Sequence, residues 1–141
     1  MARKHGWTIR GWLSASLGDG ARALDALDRA IRLNPADDFE VLGAMQGKSA
    51  VLLQLGRDSD ALEMINRVLA RSPNDLRGLF YKFAIDADPA RAADAADHIR
   101  ALYPHLRGSN LREMYRLASR SISSKRRALL ENAIARLGLP E

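Results

Sequence analysis

Apolar residues recur at three- and four-residue spacing along nearly the whole chain, and the two-residue alternation of a half-buried strand is almost absent. Leu24, Leu27 and Ile31 form one such stripe, with Asp25, Asp28, Arg29 and Arg32 facing away. Leu62, Ile65 and Leu69 form another. Each stripe stops before a proline, at Asn34-Pro35 and at Ser72-Pro73, because the residue before proline is pushed out of the helical region. The first of these helices is predicted to start near Asp19 or Gly20, and the second near Asp58 acting as N-cap. A further helix precedes each, over Gly6 to Gly18 and over Asp38 to Gly56. In a third pair, Asn74 or Asp75 caps "LRGLFYKFAI", and Asp88-Pro89 opens a helix that runs to Pro104. In a fourth, Ser109 or Asn110 precedes "LREMYRLASRSI", and "SSKRRALLENAIARL" ends at Gly138. The pattern predicts an all-α chain of eight helices in four antiparallel pairs. The turns are short and leave no room for a large catalytic insertion.

Two of the predicted helices are written in the same way. "GDGARALDALDRAIRLNP" starts at Gly18 and "GRDSDALEMINRVLARSP" at Gly56, 38 residues later. They agree at Gly18/Gly56, Ala23/Ala61, Leu24/Leu62, Arg29/Arg67 and Pro35/Pro73. A helix–turn–helix unit repeated with a period in the thirties points to a solenoid. Trp7, Gly11, Gly18, Ala23, Leu27, Ala30 and Pro35 resemble the tetratricopeptide repeat, and Met45, Ser49, Gly56, Ala61, Ile65, Val68 and Pro73 repeat the pattern. Ala92, Ala96, Ile99 and Pro104 fit a third unit with a shortened turn, and Ala128, Ala135 and Pro140 a degenerate fourth. The units span approximately residues 5–37, 38–75, 76–106 and 109–141. The resemblance implies a superhelix of stacked helix hairpins. Trp7, Gly11, Ala23, Ala30, Ser49, Ala61 and Val68 are then its packing positions, because only small side chains leave room where two helices cross closely.

Two further stretches carry a second resemblance: the run from Leu33 to Leu62, and the close "LENAIARLGLPE". They are similar to the C-terminal repeats of bacterial signalling proteins that join such arrays to a class III adenylate cyclase domain or to a winged-helix DNA-binding domain. The resemblance carries no catalytic residue. It implies a regulatory or dimerisation tail, or a stand-alone relative.

Composition narrows these options. A chain of 141 residues with 47% hydrophobic and 28% charged content has enough apolar material for one buried core. With no cysteine, disulfides, thiolate nucleophiles and cysteine-based metal sites are excluded. No apolar run approaches the roughly 20 residues of a membrane span. The basic opening is followed by a stretch broken at Arg10, Gly11 and Ser14, so no secretion signal is expected and a cytoplasmic protein is. The net charge of +5 is unevenly placed. Residues 1–104 are neutral, whereas residues 105–141 set eight basic residues against Glu113, Glu131 and Glu141.

The chemistry-bearing residues are sparse. His5, His98 and His105 have no partner at metal-ligand spacing. The serines of "SRSISSK" lie in no nucleophile elbow, and no phosphate-binding glycine loop is present, so neither an enzyme nor a cofactor is expected. The repeat resemblance implies a concave groove lined by the first helix of each pair. Its positions are His5, Thr8, Trp12 and Ser16, then Gln46, Ala50, Leu53 and Gln54, then Arg77, Phe80 and Ala84. Trp12 and Phe80 are the expected anchors for a ligand, though Trp12 equally suits packing on a neighbouring helix. The residues Thr8 and Trp12 replace the Lys and Asn of arrays that clamp a terminal carboxylate, so that ligand is not expected. The last candidate is a basic patch of Arg112, Arg116, Arg120, Lys125, Arg126 and Arg127. Its alternatives are a solvated face and a surface for nucleic acid or another polyanion. The favoured reading is a non-catalytic scaffold whose groove binds another protein or a peptide, with a homodimer as a further option and neither a nucleic-acid nor a membrane partner.

Overall fold

Eight helices and no strand form among the described residues of the structure, a computed structural model that describes residues 6–33, 35–116 and 122–141. They are α1 (Gly6–Ser16), α2 (Gly20–Leu33), α3 (Asp38–Gln54), α4 (Asp58–Arg71), α5 (Leu76–Ile85), α6 (Pro89–Leu102), α7 (Gly108–Arg116) and α8 (Ser124–Leu137). The candidates His5 and Arg120, the serine Ser119 and the predicted stop residue Asn34 lie outside the described residues.

Local chemistry sets most of the boundaries. Asp37, Asp75, Asp88 and Ser123 sit just ahead of α3, α5, α6 and α8, and each side chain accepts a hydrogen bond from a first-turn backbone N–H. Pro89 opens α6, where its missing N–H has no partner to lose. Two expectations shift. Asp58 is the first residue of α4 and not its cap; Arg57 holds the cap position without a side-chain bond. The helix α7 begins at Gly108, ahead of Ser109 and Asn110, and Asn110 reaches back to accept from the Arg107 N–H at 2.8 Å.

The repeated glycines have one job in two places. Gly18 and Gly56 have φ of 82° and 77°, the left-handed region that favours glycine. At the first turn Gly18 N–H bonds Ala15 O and Asp19 N–H bonds Ser14 O. At the second, Gly56 N–H bonds Leu53 O and Arg57 N–H bonds Leu52 O. Both are the paired closure of a Schellman turn, which satisfies the last carbonyls of a helix.

Packing runs mostly between neighbours in sequence. Each of α1 to α5 packs on the next helix, and α1 and α5 also pack on α3. Hydrogen bonds fix the relative placement of several helices. Thr8 near the start of α1 donates to Glu40 near the start of α3. Arg71 at the end of α4 bonds Asp38 at the start of α3 at 2.9 Å. The order changes at the end of the chain, where α8 packs on α5 and α6 as well as on α7. The Gly108 N–H closes this end by bonding Pro140 O at 2.8 Å.

Helix α3 is the longest at 17 residues and is buried on nearly every side, as expected for a helix with neighbours all around it. Its Ser49 hydroxyl bonds Met45 O one turn back at 2.9 Å, so a small polar residue is satisfied inside the core. On α2 and α4 the buried face sets small residues beside large ones: Ala23, Ala26 and Ala30 with Leu27, then Ala61 and Val68 with Met64 and Ile65. The larger residues Leu24, Ile31 and Leu69 flank it half-buried, and Leu62 is 37% exposed where an inward position was expected. The buried stripe of α4 runs through Ala61, Ile65 and Val68, which leaves Leu62 at the rim.

Ala61 has no exposed surface. The variant Ala61→Leu is expected to overpack this contact and lose about 1–3 kcal/mol of stability, read as a lower midpoint in thermal denaturation.

Candidate partner-binding cleft

Ile9, Trp12, Leu13 and Ser16 of α1 follow the i, i+3, i+4, i+7 spacing of one helix face. They line a cleft of about 380 Å³ together with Arg77 of α5 and Met114 of α7. Ile9 and Leu13 are 58% and 57% exposed, a large apolar surface left to solvent.

The floor is built from a close approach. Trp12 lies over Gly47 of α3, where an added Cβ would stand 3.1 Å from the indole Cε2 and from Leu27 Cδ2. Glycine at this position therefore gives the indole its seat. The Arg77 guanidinium lies over the same ring, 4.8 Å from its centroid. The Nη1 of Arg77 is buried from solvent and has no hydrogen-bond acceptor among the described residues. Arg77 is the one charged residue among the described residues lining the cleft. Beneath it, burial pushes the Tyr81 phenol up to about 12, against the opposing pull of the Arg77 charge. The cleft thus offers mainly apolar contact beside one cationic side chain.

The other groove positions are occupied by the fold. The Thr8 hydroxyl is held by the buried Glu40. Gln46 Nε2 donates to Asp75 Oδ1 at 2.6 Å while Asp75 Oδ2 caps α5, so this pair ties α3 to the start of α5. Gln54 is half-buried at the last turn of α3, and Ala50, Leu53 and Ala84 are buried. Phe80 corrects an expectation. It is 0% exposed and packs beside Tyr81, because α3, α4 and α8 surround α5 and turn position 80 inward. It cannot anchor a ligand from outside. Ile9, Leu13 and Met114 were not expected in the site. The first two carry a signal, an apolar pair at four-residue spacing beside Trp12. Met114 carries none, because α7 reaches the cleft only through the tertiary fold.

Of the packing positions, Gly11, Ala23, Ala30, Ser49, Ala61 and Val68 are buried. Trp7 is half-buried, with the Arg10 and Arg29 guanidiniums 4.9 and 4.8 Å from its ring centroid.

The basic residues near the end do not act as one stripe. Arg112 bonds Glu131 at 3.0 Å and Glu141 at 2.6 Å, and its guanidinium holds the Glu141 carboxyl below the usual carboxylate range. Arg116 pairs with Glu113 at 3.2 Å. Arg126 turns away to α3 and α4, donating from Nε to Leu53 O at 2.9 Å and pairing with Asp58. Lys125 and Arg127 are exposed. Elsewhere, a second cleft of about 230 Å³ between α2 and α4 is polar, and in it Lys48 pairs with Asp28 and Arg57 with Asp60. No group of three His, Asp or Glu residues among the described residues is placed to hold a metal ion, and no helix among them is long and apolar enough to cross a membrane.

The Arg126 side chain is 14% exposed, so its bonds form in a largely dry setting. Arg126→Met is expected to cost about 1–3 kcal/mol by chemical denaturation, because Leu53 O loses a charged donor. Asp58→Asn, at the more exposed end of the same contact, is expected to cost under about 1 kcal/mol. Comparison with protein-family models, with curated proteins and with solved structures gives no match.

Proposed function

We propose that the chain is a non-catalytic interaction module: a tetratricopeptide-like array of four helix pairs that binds a peptide or partner helix in the cleft between α1, α5 and α7. One observation carries the binding reading. An apolar cleft leaves Ile9 and Leu13 more than half exposed beside Trp12 and a buried, unpaired Arg77 N–H. A side chain that gains nothing from this exposure in the free chain gains from a partner that covers it.

The array reading is supported by the two Schellman turns at Gly18 and Gly56 and by the small buried residues that follow each at the same offsets. The packing of α1 and α5 on α3 supports it too, since first helices of successive units are neighbours in such an array. The last unit departs from it, because α8 packs on α5. As in the sequence reading, the chain works without a cofactor and in the cytoplasm.

A regulatory or dimerisation tail is the second reading. It is favoured by the exposed Ile9 and Leu13 on α1 and by Leu17 just beyond its end, which together present an apolar surface to another helix. Light scattering separates the two, since that reading requires a dimer. Polyanion binding loses ground, because Arg112, Arg116 and Arg126 already face carboxylates.

A random peptide library displayed on phage and panned on the full chain tests the cleft. Enriched peptides are expected to bind the Trp12→Ala, Met114→Ala double variant at least about tenfold more weakly, as measured by titration calorimetry. Undiminished binding to a variant that still melts cooperatively would place the site elsewhere.

A further inference from the structure

The exposed side of α1 has a counterpart inside the molecule. The 38-residue offset that matches Trp7 to Met45 and Gly18 to Gly56 also matches Gly6, Ile9, Leu13 and Leu17 to Ala44, Gly47, Val51 and Leu55. In the second unit these four positions meet the first. Ala44 and Val51 are buried in one cluster with Ala15 of α1 and with Ala23, Leu27 and Ala30 of α2. Gly47 lies under Trp12 and Leu27, and Leu55 Cδ2 stands 3.0 Å from where a Cβ on Gly20 would lie. The spacing i, i+3, i+7, i+11 follows one side of a helix, so α3 turns one side to the pair α1 and α2. The equivalent side of α1 is open, with Ile9, Leu13 and Leu17 58%, 57% and 79% exposed.

We propose that this side of α1 takes a helix hairpin of a different protein, stacked on it as α1 and α2 are stacked on α3. The proposal rests on the partner-binding reading above and names the occupant, with Ile9 and Leu13 serving both as the contact and as a wall of the cleft. The repeat shows what covers such a face: a hairpin unit contacts its neighbour along it. Size then sets the occupant's side chains. Over Gly47 the first unit places two large groups, an indole and a leucine. At the matching place α1 has Ile9, so the hairpin must bring Ala, Gly or Ser there to avoid overpacking. Leu13 stands for Val51, which already shares its cluster with alanines, so small residues are needed there as well. A second copy does not meet this need. Its own Trp12, Ala15, Ala23 and Leu27 are engaged by its α3. Its α1 face would set large side chains against large ones. The exposed surface of its α7 and α8 is mostly polar, with Glu113, Arg116, Lys125, Arg127 and Arg136 on it.

The test pans the full chain with a displayed library built on a disulfide-closed helix hairpin, one face of which is randomised among Ala, Gly, Ser, Leu and Trp. Enriched hairpins are expected to carry small residues at the positions that meet Ile9 and Leu13. By titration calorimetry they are expected to bind Ile9→Gln and Leu13→Gln, changes at positions more than half exposed, at least about tenfold more weakly than wild type. Exchanging size across the contact is the sharper readout. Ile9→Gly gives α1 the residue that α3 has at this place, and hairpins with Leu or Trp at the facing position are expected to bind it at least about tenfold more tightly than they bind wild type. Ile9→Ala is expected to move the preference the same way by a smaller factor, without a glycine inside the helix. Hairpins that bind wild type, Ile9→Gly and Ile9→Gln equally would overturn the proposal. Linear peptides that bind through Trp12 and Met114 while no hairpin is enriched would overturn it and leave the peptide-binding reading standing. Enrichment of neither would overturn both. A dimer by light scattering that Leu13→Gln abolishes would give this face to a second copy and overturn the proposal.

Discussion

Leu27 is held between two glycines, and much of the first half of the molecule follows from that contact. A Cβ on Gly11 of α1 would stand 2.5 Å from Leu27 Cγ, and one on Gly47 of α3 would stand 3.1 Å from Leu27 Cδ2. With no side chain on either glycine, a single leucine of α2 fills the space between three helices and has no exposed surface. Each glycine costs about 1 kcal/mol in a helix, and burying the leucine returns about 1.5–3 kcal/mol. The exchange is favourable only because both helices come close enough to share the same side chain. Gly47 has a second use, since the space left by its missing side chain also seats Trp12. The indole in turn carries the Arg77 guanidinium. The cleft is thus an extension of the packing that holds α1, α2 and α3 together.

The parts of the fold that were legible in the sequence are those set by short-range chemistry. Asp75, Asp88-Pro89 and Ser123 mark helix starts, and Gly18, Gly56 and Gly138 mark ends, because capping and positive φ involve only residues within a turn of one another. The small residues of the repeat were legible for the same reason: Ala23 and Ala61 occupy equivalent places on equivalent helices. Phe80 was misread because a periodic pattern shows which face of a helix is apolar, but not how many neighbours will cover it. With α3, α4 and α8 all against α5, a position assigned to a groove became core. The site itself was half legible. Trp12, Ser16 and Arg77 came from the pattern of the repeat, whereas Met114 and the return of α8 onto α5 depend on contacts between distant parts of the chain, which no local spacing encodes.

Electrostatics tell a similar story. The basic excess of the last quarter reads in sequence as a patch, since Arg112 and Arg116 lie one helical turn apart. In the fold, these side chains meet Glu131, Glu141 and Glu113, and Arg126 crosses to the junction of α3 and α4. They work as ties between elements, and the net charge acts as a diffuse field. Against that background Arg77 stacks on Trp12, and its Nη1 is shielded from solvent with no acceptor among the described residues.

The claim on which the rest stands is that Gly11 is glycine because Leu27 occupies its missing side chain. A double-mutant cycle of Gly11→Ala and Leu27→Ala, measured by chemical denaturation, tests it most directly, because the intrinsic helix preference of alanine cancels across the cycle. The account predicts that the double variant is more stable than the sum of the single changes by about 1 kcal/mol or more, the added methyl entering space that the leucine has vacated. Additivity within about 0.5 kcal/mol would show that the two positions do not compete for the same space, and would contradict it.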